Sequence, residues 1–159
     1  MTPEAYALLE AISGAESGGK WNVTYGGKKF SDFTAHPRTY VTIKSGPNAG
    51  RKSSAAGKFQ ITATTYDRVA PKLGITDFSP ESQQRIAWHL AKEQYGPNLE
   101  ADLASGDAAT ISKVARKLSP VWTSLPGGIE QGTSGNRFVA RFNQAKAHPV
   151  PPGTIPGVA

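Results

Sequence analysis

The chain has 159 residues, 38% of them hydrophobic and 19% charged, with no cysteine and a formal net charge of +6. That length and balance predict one soluble domain with a sizeable core and exclude a disordered chain. The missing thiol excludes disulfides, thiolate catalysis and cysteine metal sites, and no apolar run approaches the roughly 20 residues of a membrane span.

The first predicted element is a helix. Thr2 suits its N-cap, Pro3 its first position and Glu4 its first turn. Ala5, Leu8, Leu9 and Ile12 recur at helical spacing as one apolar stripe, and Gly14, Gly18 and Gly19 are expected to stop it. No positively charged segment precedes this acidic helix, so no secretory signal is expected. Glu16 falls in or just past the last turn. There the unpaired carbonyls oppose negative charge, and partial burial acts the same way, so the side chain is placed to keep a proton. A general acid that protonates a glycosidic oxygen needs that property. The flanking glycines let a long substrate approach the backbone. Read blandly, Glu16 is an ordinary surface glutamate past a helix end.

From Lys20 to Ile61 the helical period is lost. Thr39-Tyr40-Val41-Thr42-Ile43 reads as a strand, bounded by turn clusters at Gly26-Gly27 and from Ser45 to Gly50. Lys58-Phe59-Gln60-Ile61 reads as a short partner strand or a helix entry. Helices then return. Thr62 or Thr64 caps one bearing Tyr66, Val69 and Ala70. Ser79-Pro80-Glu81 starts another carrying Ile86, Ala87, Leu90 and Ala91, with Gly96-Pro97 as its stop. Asn98 is expected to cap a short segment with Leu99 and Leu103. Asp107 caps the stripe Ile111, Val114, Ala115 and Leu118, and a last helix carries Phe138, Val139, Phe142 and Ala145. Residues 1–147 are expected to form a single catalytic domain, and 148–159 a Pro-rich tail. The order predicts an α+β fold, mainly helical, with a small β-hairpin lobe flanking a cleft.

The side chains allow several chemistries and favour few. His36, His89 and His148 lack paired ligand spacing, so no metal is expected, and His36 reads better as a loop-fixing hydrogen-bonder. No nucleophile elbow and no phosphate-cradling loop occurs. A two-carboxylate glycosidase needs a second acid near Glu16, and Asp32 is the nearest candidate, unless it is a turn residue bonded to local amides. Sugar binding needs flat aromatic faces and hydroxyl or amide groups. Trp21, Asn22, Tyr25, Ser53, Ser54, Gln60 and Trp122 are of suitable type. Trp88 reads as core, and Trp122 as either core or sugar platform. The positive charge favours polyanionic partners, yet it is spread over Lys28-Lys29, Arg51-Lys52, Lys113 to Lys117, Arg137 and Arg141, with no common nucleic-acid motif.

Several stretches, in one order, match a known pattern. Ser13 to Gly18 resembles a segment built around a catalytic Glu. Gly26-Gly27 with Phe30, Asp32 and His36-Pro37-Arg38 resembles "GG..F.D....HPR". Ser53 to Gln60 resembles "STGAGRYQ", Tyr66-Asp67 a Trp-Asp pair, Asp77 to Pro80 "DFSP", and Trp122 to Gly127 "WASLPG". On these residues the chain resembles the phage lambda-type endolysins, lysozyme-like lytic transglycosylases. Glu16-Ser17 also resembles the Glu-Ser pair of transglycosylases at large, and Gly57 to Gln60 their Gly-Leu-Met-Gln. Asn22 departs from the pattern, which has Asp there. The Gly-rich loop before it is shorter, and the region after Gly128 diverges.

The resemblance implies a lysozyme-like fold and cleavage of the β-1,4 bond from N-acetylmuramic acid to N-acetylglucosamine, with Glu16 as both acid and base. Closure of a 1,6-anhydro ring by the muramyl C6 hydroxyl then needs neither water nor a second carboxylate. The substrate-binding residues expected are Ser17, Asn22, Tyr25, Asp32, Ser54, Gln60 and Trp122. No cofactor is implied. The partner is a peptidoglycan glycan strand, and the enzyme is expected to act as a monomer without nucleic acid or an integral membrane segment. It is expected to wait in the host cytoplasm until a holin-type pore admits it to the periplasm. The alternatives are a hydrolytic lysozyme in which Asp32 activates water, and a non-catalytic wall- or nucleic-acid-binding module.

Overall fold

The computed structural model describes residues 1–127 and 134–149, and among them are six helices, of which α1 (Pro3–Glu16) packs against three others. Thr2 caps α1 by accepting the Ala5 N–H at 3.1 Å, with Pro3 opening the helix. Gly14 does not stop the helix, which continues to Glu16. Packing explains this. Leu8, Leu9 and Ile12 are fully buried, and burying each is worth about 1.5–3 kcal/mol. An internal glycine costs only about 1 kcal/mol. Gly14 also meets a spatial need, because the Arg141 side chain of α6 (Gly135–Ala147) lies within about 3 Å of where a Cβ would sit. Ala7 and Ala11 are buried as well, so α1 is covered on more than one side, chiefly by α6.

The remaining helices are α2 (Ala63–Val69), followed by a 3-10 turn at Ala70–Leu73, then α3 (Pro80–Tyr95), α4 (Leu99–Ser105) and α5 (Ala108–Leu118). Thr62, not Thr64, caps α2, while Ser79 and Asp107 cap α3 and α5 as their sequence signals require. Asn98 makes no side-chain cap to α4, which is held by buried Leu99 and Leu103 instead. Phe78, Ile86, Ile111, Phe138 and Phe142 complete one continuous core.

The β-lobe occupies residues 17–62, between α1 and α2. Its sheet is a single antiparallel ribbon, β1 (Val41–Thr42) on β2 (Lys52–Ser53), with Val41 opposite Ser53. Of the two readings of residues 58–61, partner strand or helix entry, the strand is not formed, and the stretch leads into α2 at its cap Thr62. Gly57 and Gln60 both have positive φ, 81° and 50°, and they fold this stretch into a tight turn closed by the paired Ala56 and Ile61 backbones.

His36 pins the lobe to the helices. Its Nε2 lies 2.7 Å from the Ile61 carbonyl, and its Nδ1 accepts the Arg38 N–H at 3.0 Å. The ring packs on Tyr66 and Phe78. Burial pushes its pKa below the ordinary value, and the Arg38 cation acts the same way. The unfolded chain therefore takes up the proton first as pH falls, so this contribution is intact above about pH 6.5 and is lost as pH drops through the lower native value. Urea unfolding at pH 7.5 and 5.0 should show lower stability at the acidic pH, with a smaller difference in His36→Gln.

Candidate active site

Glu16 is the last residue of α1 and is half-buried. The Ser13 carbonyl accepts the N–H groups of Ser17 at 2.9 Å and Gly19 at 3.3 Å, and Gly18 takes a left-handed turn that leads the chain off the helix. The Ser17 hydroxyl then donates to the Lys58 carbonyl at 2.7 Å. This bond ties the residue after Glu16 to the 57–60 turn of the lobe.

That turn is itself fixed from two sides. The Lys58 N–H donates to the buried Gln83 side-chain oxygen at 2.9 Å. The Lys58 ammonium, 1% exposed as a residue, lies 2.5 Å from Glu10 and 4.4 Å above the centre of the Trp21 ring. A buried pair of this kind adds little net stability but allows few other arrangements. On the other side the Trp122 indole N–H donates to the Phe59 carbonyl at 3.0 Å, which places the following turn so that the Ser124 N–H approaches Glu16 Oε1 at 3.4 Å. Helix-end carbonyls oppose charge on Glu16, while an N–H aimed at the carboxylate steadies it.

A cavity of about 460 Å³ opens over Glu16 between lobe and helices. Ser17, Lys20, Tyr25, Asn48, Ser53, Gln60, Thr62, Thr123 and Ser124 supply its polar lining, and Val23, Ile43 and Val121 its apolar lining. Glu16 is its only carboxylate among the described residues. Hydroxyl, amide and aromatic groups around one acid suit a polyhydroxylated ligand. Gln60 holds its left-handed backbone here while its amide nitrogen donates to the Gly57 carbonyl at 2.9 Å.

Of the residues expected from sequence, Glu16, Ser17, Tyr25 and Gln60 come together in this cavity, and four do not. Trp122 is 2% exposed, so its ring is a structural anchor and offers no face to a sugar. Ser54 is buried and accepts the N–H of Ala63, the first residue of α2. Asn22 lies outside the lining, with its carbonyl taken by the Phe30 N–H. Asp32 is exposed outside the cavity, where its carboxylate accepts the Thr34 hydroxyl at 2.6 Å and the Thr34 N–H at 2.9 Å. These bonds hold its pKa below the usual carboxylate range. Ser53, of suitable type by sequence, also lines the cavity, whereas Asn48, Lys20 and Ser124 were not singled out by sequence reasoning. Ser124 had a signal, since it lies within the Trp122 to Gly127 motif. Among the described residues no three His, Asp or Glu converge as metal ligands, and no helix is long and apolar enough to cross a membrane.

A family model described as Endolysin matches residues 6–148. The chain is 33% identical over 127 residues to the endolysin of Escherichia phage lambda, covering 79% of this chain and 74% of that one. It is 30% identical over 99 residues to the endolysin of Escherichia phage P2, covering 62% and 56%. Its fold matches bacteriophage lambda lysozyme complexed with a chitohexasaccharide at a TM-score of 0.78 and 29% identity, covering 91% of this chain and 95% of that one. A second structure of the lambda lysozyme matches at 0.75 and 28% identity.

Proposed function

The chain belongs to the endolysin family and is a peptidoglycan-degrading glycosidase, and from that premise we propose that it works as a lytic transglycosylase. Glu16 protonates the glycosidic oxygen of the N-acetylmuramic acid to N-acetylglucosamine bond. The resulting carboxylate, steadied by the Ser124 N–H, then removes the proton from the muramyl C6 hydroxyl. O6 closes on C1 to form the 1,6-anhydro ring, and the aglycone leaves with the proton that Glu16 supplied. One group thus acts as acid and then as base.

The observation that carries this reading is the placement of the carboxylates. Glu16 lines the cavity, whereas Asp32 lies outside it and is bonded to Thr34. A hydrolytic two-carboxylate mechanism needs a second acid or base across the scissile bond. Tyr25, Gln60 and Ser17 are the contacts of a glycan strand in this reading. We also take the enzyme to act as a monomer, reaching the wall from the host cytoplasm through a holin-type pore.

Mass spectrometry of muropeptides released from purified peptidoglycan tests the chemistry. Products ending in 1,6-anhydromuramic acid, lighter by one water than hydrolysis products, are expected. Reducing ends would make water the nucleophile and overturn the transglycosylase reading.

A further inference from the structure

The net charge of this chain resides in the lobe. Residues 17–62 contain eight Lys and Arg against one acid, a net +7, while the remaining chain carries ten against eleven. Two of the eight are neutralised by the helical body, Lys58 by Glu10 and Arg38 by Asp67. The other six are Lys20, Lys28, Lys29, Lys44, Arg51 and Lys52. All are exposed, and none forms a salt bridge with a described residue. Lys20 lines the cavity, and Lys28, Lys44 and Lys52 are the chain neighbours of its lining residues Gly27, Ile43 and Ser53, so the charge lies on the segments that build the cavity. The loops are held in this arrangement by backbone bonds, Thr24 N–H to the Lys28 carbonyl and Ile43 N–H to that of Arg51.

Six exposed cations gathered in one lobe beside the cleft cost self-repulsion, and an anionic partner relieves it. If the cleft binds a peptidoglycan strand, as proposed above, the sugars themselves present uncharged hydroxyl and acetamido groups to the cavity. The polymer's negative charge lies in the carboxylates of the short peptides that branch from each muramic acid. We propose that the cationic rim of the lobe docks these acidic stem peptides, so that the enzyme selects the peptide-bearing polymer over a bare amino-sugar chain. The rim sets recognition and encounter, and Glu16 performs the cleavage.

The test uses Glu16→Gln as background so that the polymer stays intact. One triple variant carries Lys28→Gln, Lys29→Gln and Lys44→Gln, and a second removes equal charge from the helical body through Lys72→Gln, Lys113→Gln and Arg137→Gln. At low salt the lobe triple should bind sedimented sacculi about tenfold more weakly, and the body triple within about twofold of its parent. The gap should close in about 0.5 M salt. Calorimetric affinity for uncharged chitohexaose should be equal in all three proteins. Equal weakening by both triples, no weakening by the lobe triple, or a matching loss toward chitohexaose overturns the proposal. Tighter binding to phosphatidylglycerol vesicles than to sacculi also overturns it, assigning the rim to a membrane. Cleavage of the same sacculi by the parent enzyme is scored separately, and its absence would count against the proposed activity instead.

Discussion

Glu16→Gln is expected to lower the rate of peptidoglycan cleavage by about a thousandfold or more while leaving the protein as stable as its parent to within about 0.5 kcal/mol. The two halves of this expectation have separate causes. Glutamine matches glutamate in shape, and its amide oxygen can still accept the Ser124 N–H now aimed at Oε1. The site is half-buried at the end of α1 and contributes little apolar area. Chemically the change removes both functions at once, since an amide neither donates a proton to a leaving oxygen nor takes one from a C6 hydroxyl. Each function alone contributes about 10²- to 10⁴-fold. The measurement is release of soluble muropeptides over time, with thermal unfolding run beside it. Activity within tenfold of the parent would remove Glu16 from the mechanism, and a large fall in melting temperature would mean that the loss of activity reports folding instead.

Gly57→Ala should be the most damaging single-methyl addition in the lobe, costing about 3–5 kcal/mol. Gly57 sits at φ 81°, and a Cβ there would overlap the Gln83 side-chain oxygen while lying 2.8 Å from Gln83 Cδ and 3.1 Å from the Phe78 ring. Gln83 is fully buried and has no slack. Its oxygen accepts the Lys58 N–H, and its nitrogen donates to the Trp21 and Phe78 carbonyls. Moving it leaves buried backbone groups unpaired at three places, each worth about 1–3 kcal/mol. Gly50→Ala is the internal reference. Gly50 has φ 88° but open space around its Cα, so its substitution should cost only the left-handed backbone penalty of about 1–2 kcal/mol. Urea unfolding of the two variants separates the terms. Equal losses would show that backbone conformation, and not the collision with Gln83, governs position 57.

The helices were legible because their signals are local. Thr2, Ser79 and Asp107 each sit three residues before the N–H they accept, and that spacing is visible in one dimension. The lobe was less legible. Its strands are two residues long, and the bonds that hold it run to distant partners: His36 to Ile61, Lys58 to Gln83, Trp122 to Phe59. Ser54 and Trp122 show the limit for the site. A hydroxyl and an indole are suitable groups for sugar, but whether they face a ligand depends on which backbone atom claims them, and residue type does not reveal that. Glu16 could be positioned because it lies at a helix end, which the sequence marks to within two residues. Ser124 could not, because it contributes a backbone N–H, which every residue but proline possesses.

The burial of the indoles has a spectroscopic consequence. Trp21 and Trp122 are 3% and 2% exposed, and Trp88 lies half-buried on α3, outside the cavity lining. Intrinsic tryptophan fluorescence in this protein is therefore first a gauge of folding. Emission from two of the three rings is shielded from an ionic quencher such as iodide until the chain unfolds, whereas Tyr25 lines the cavity.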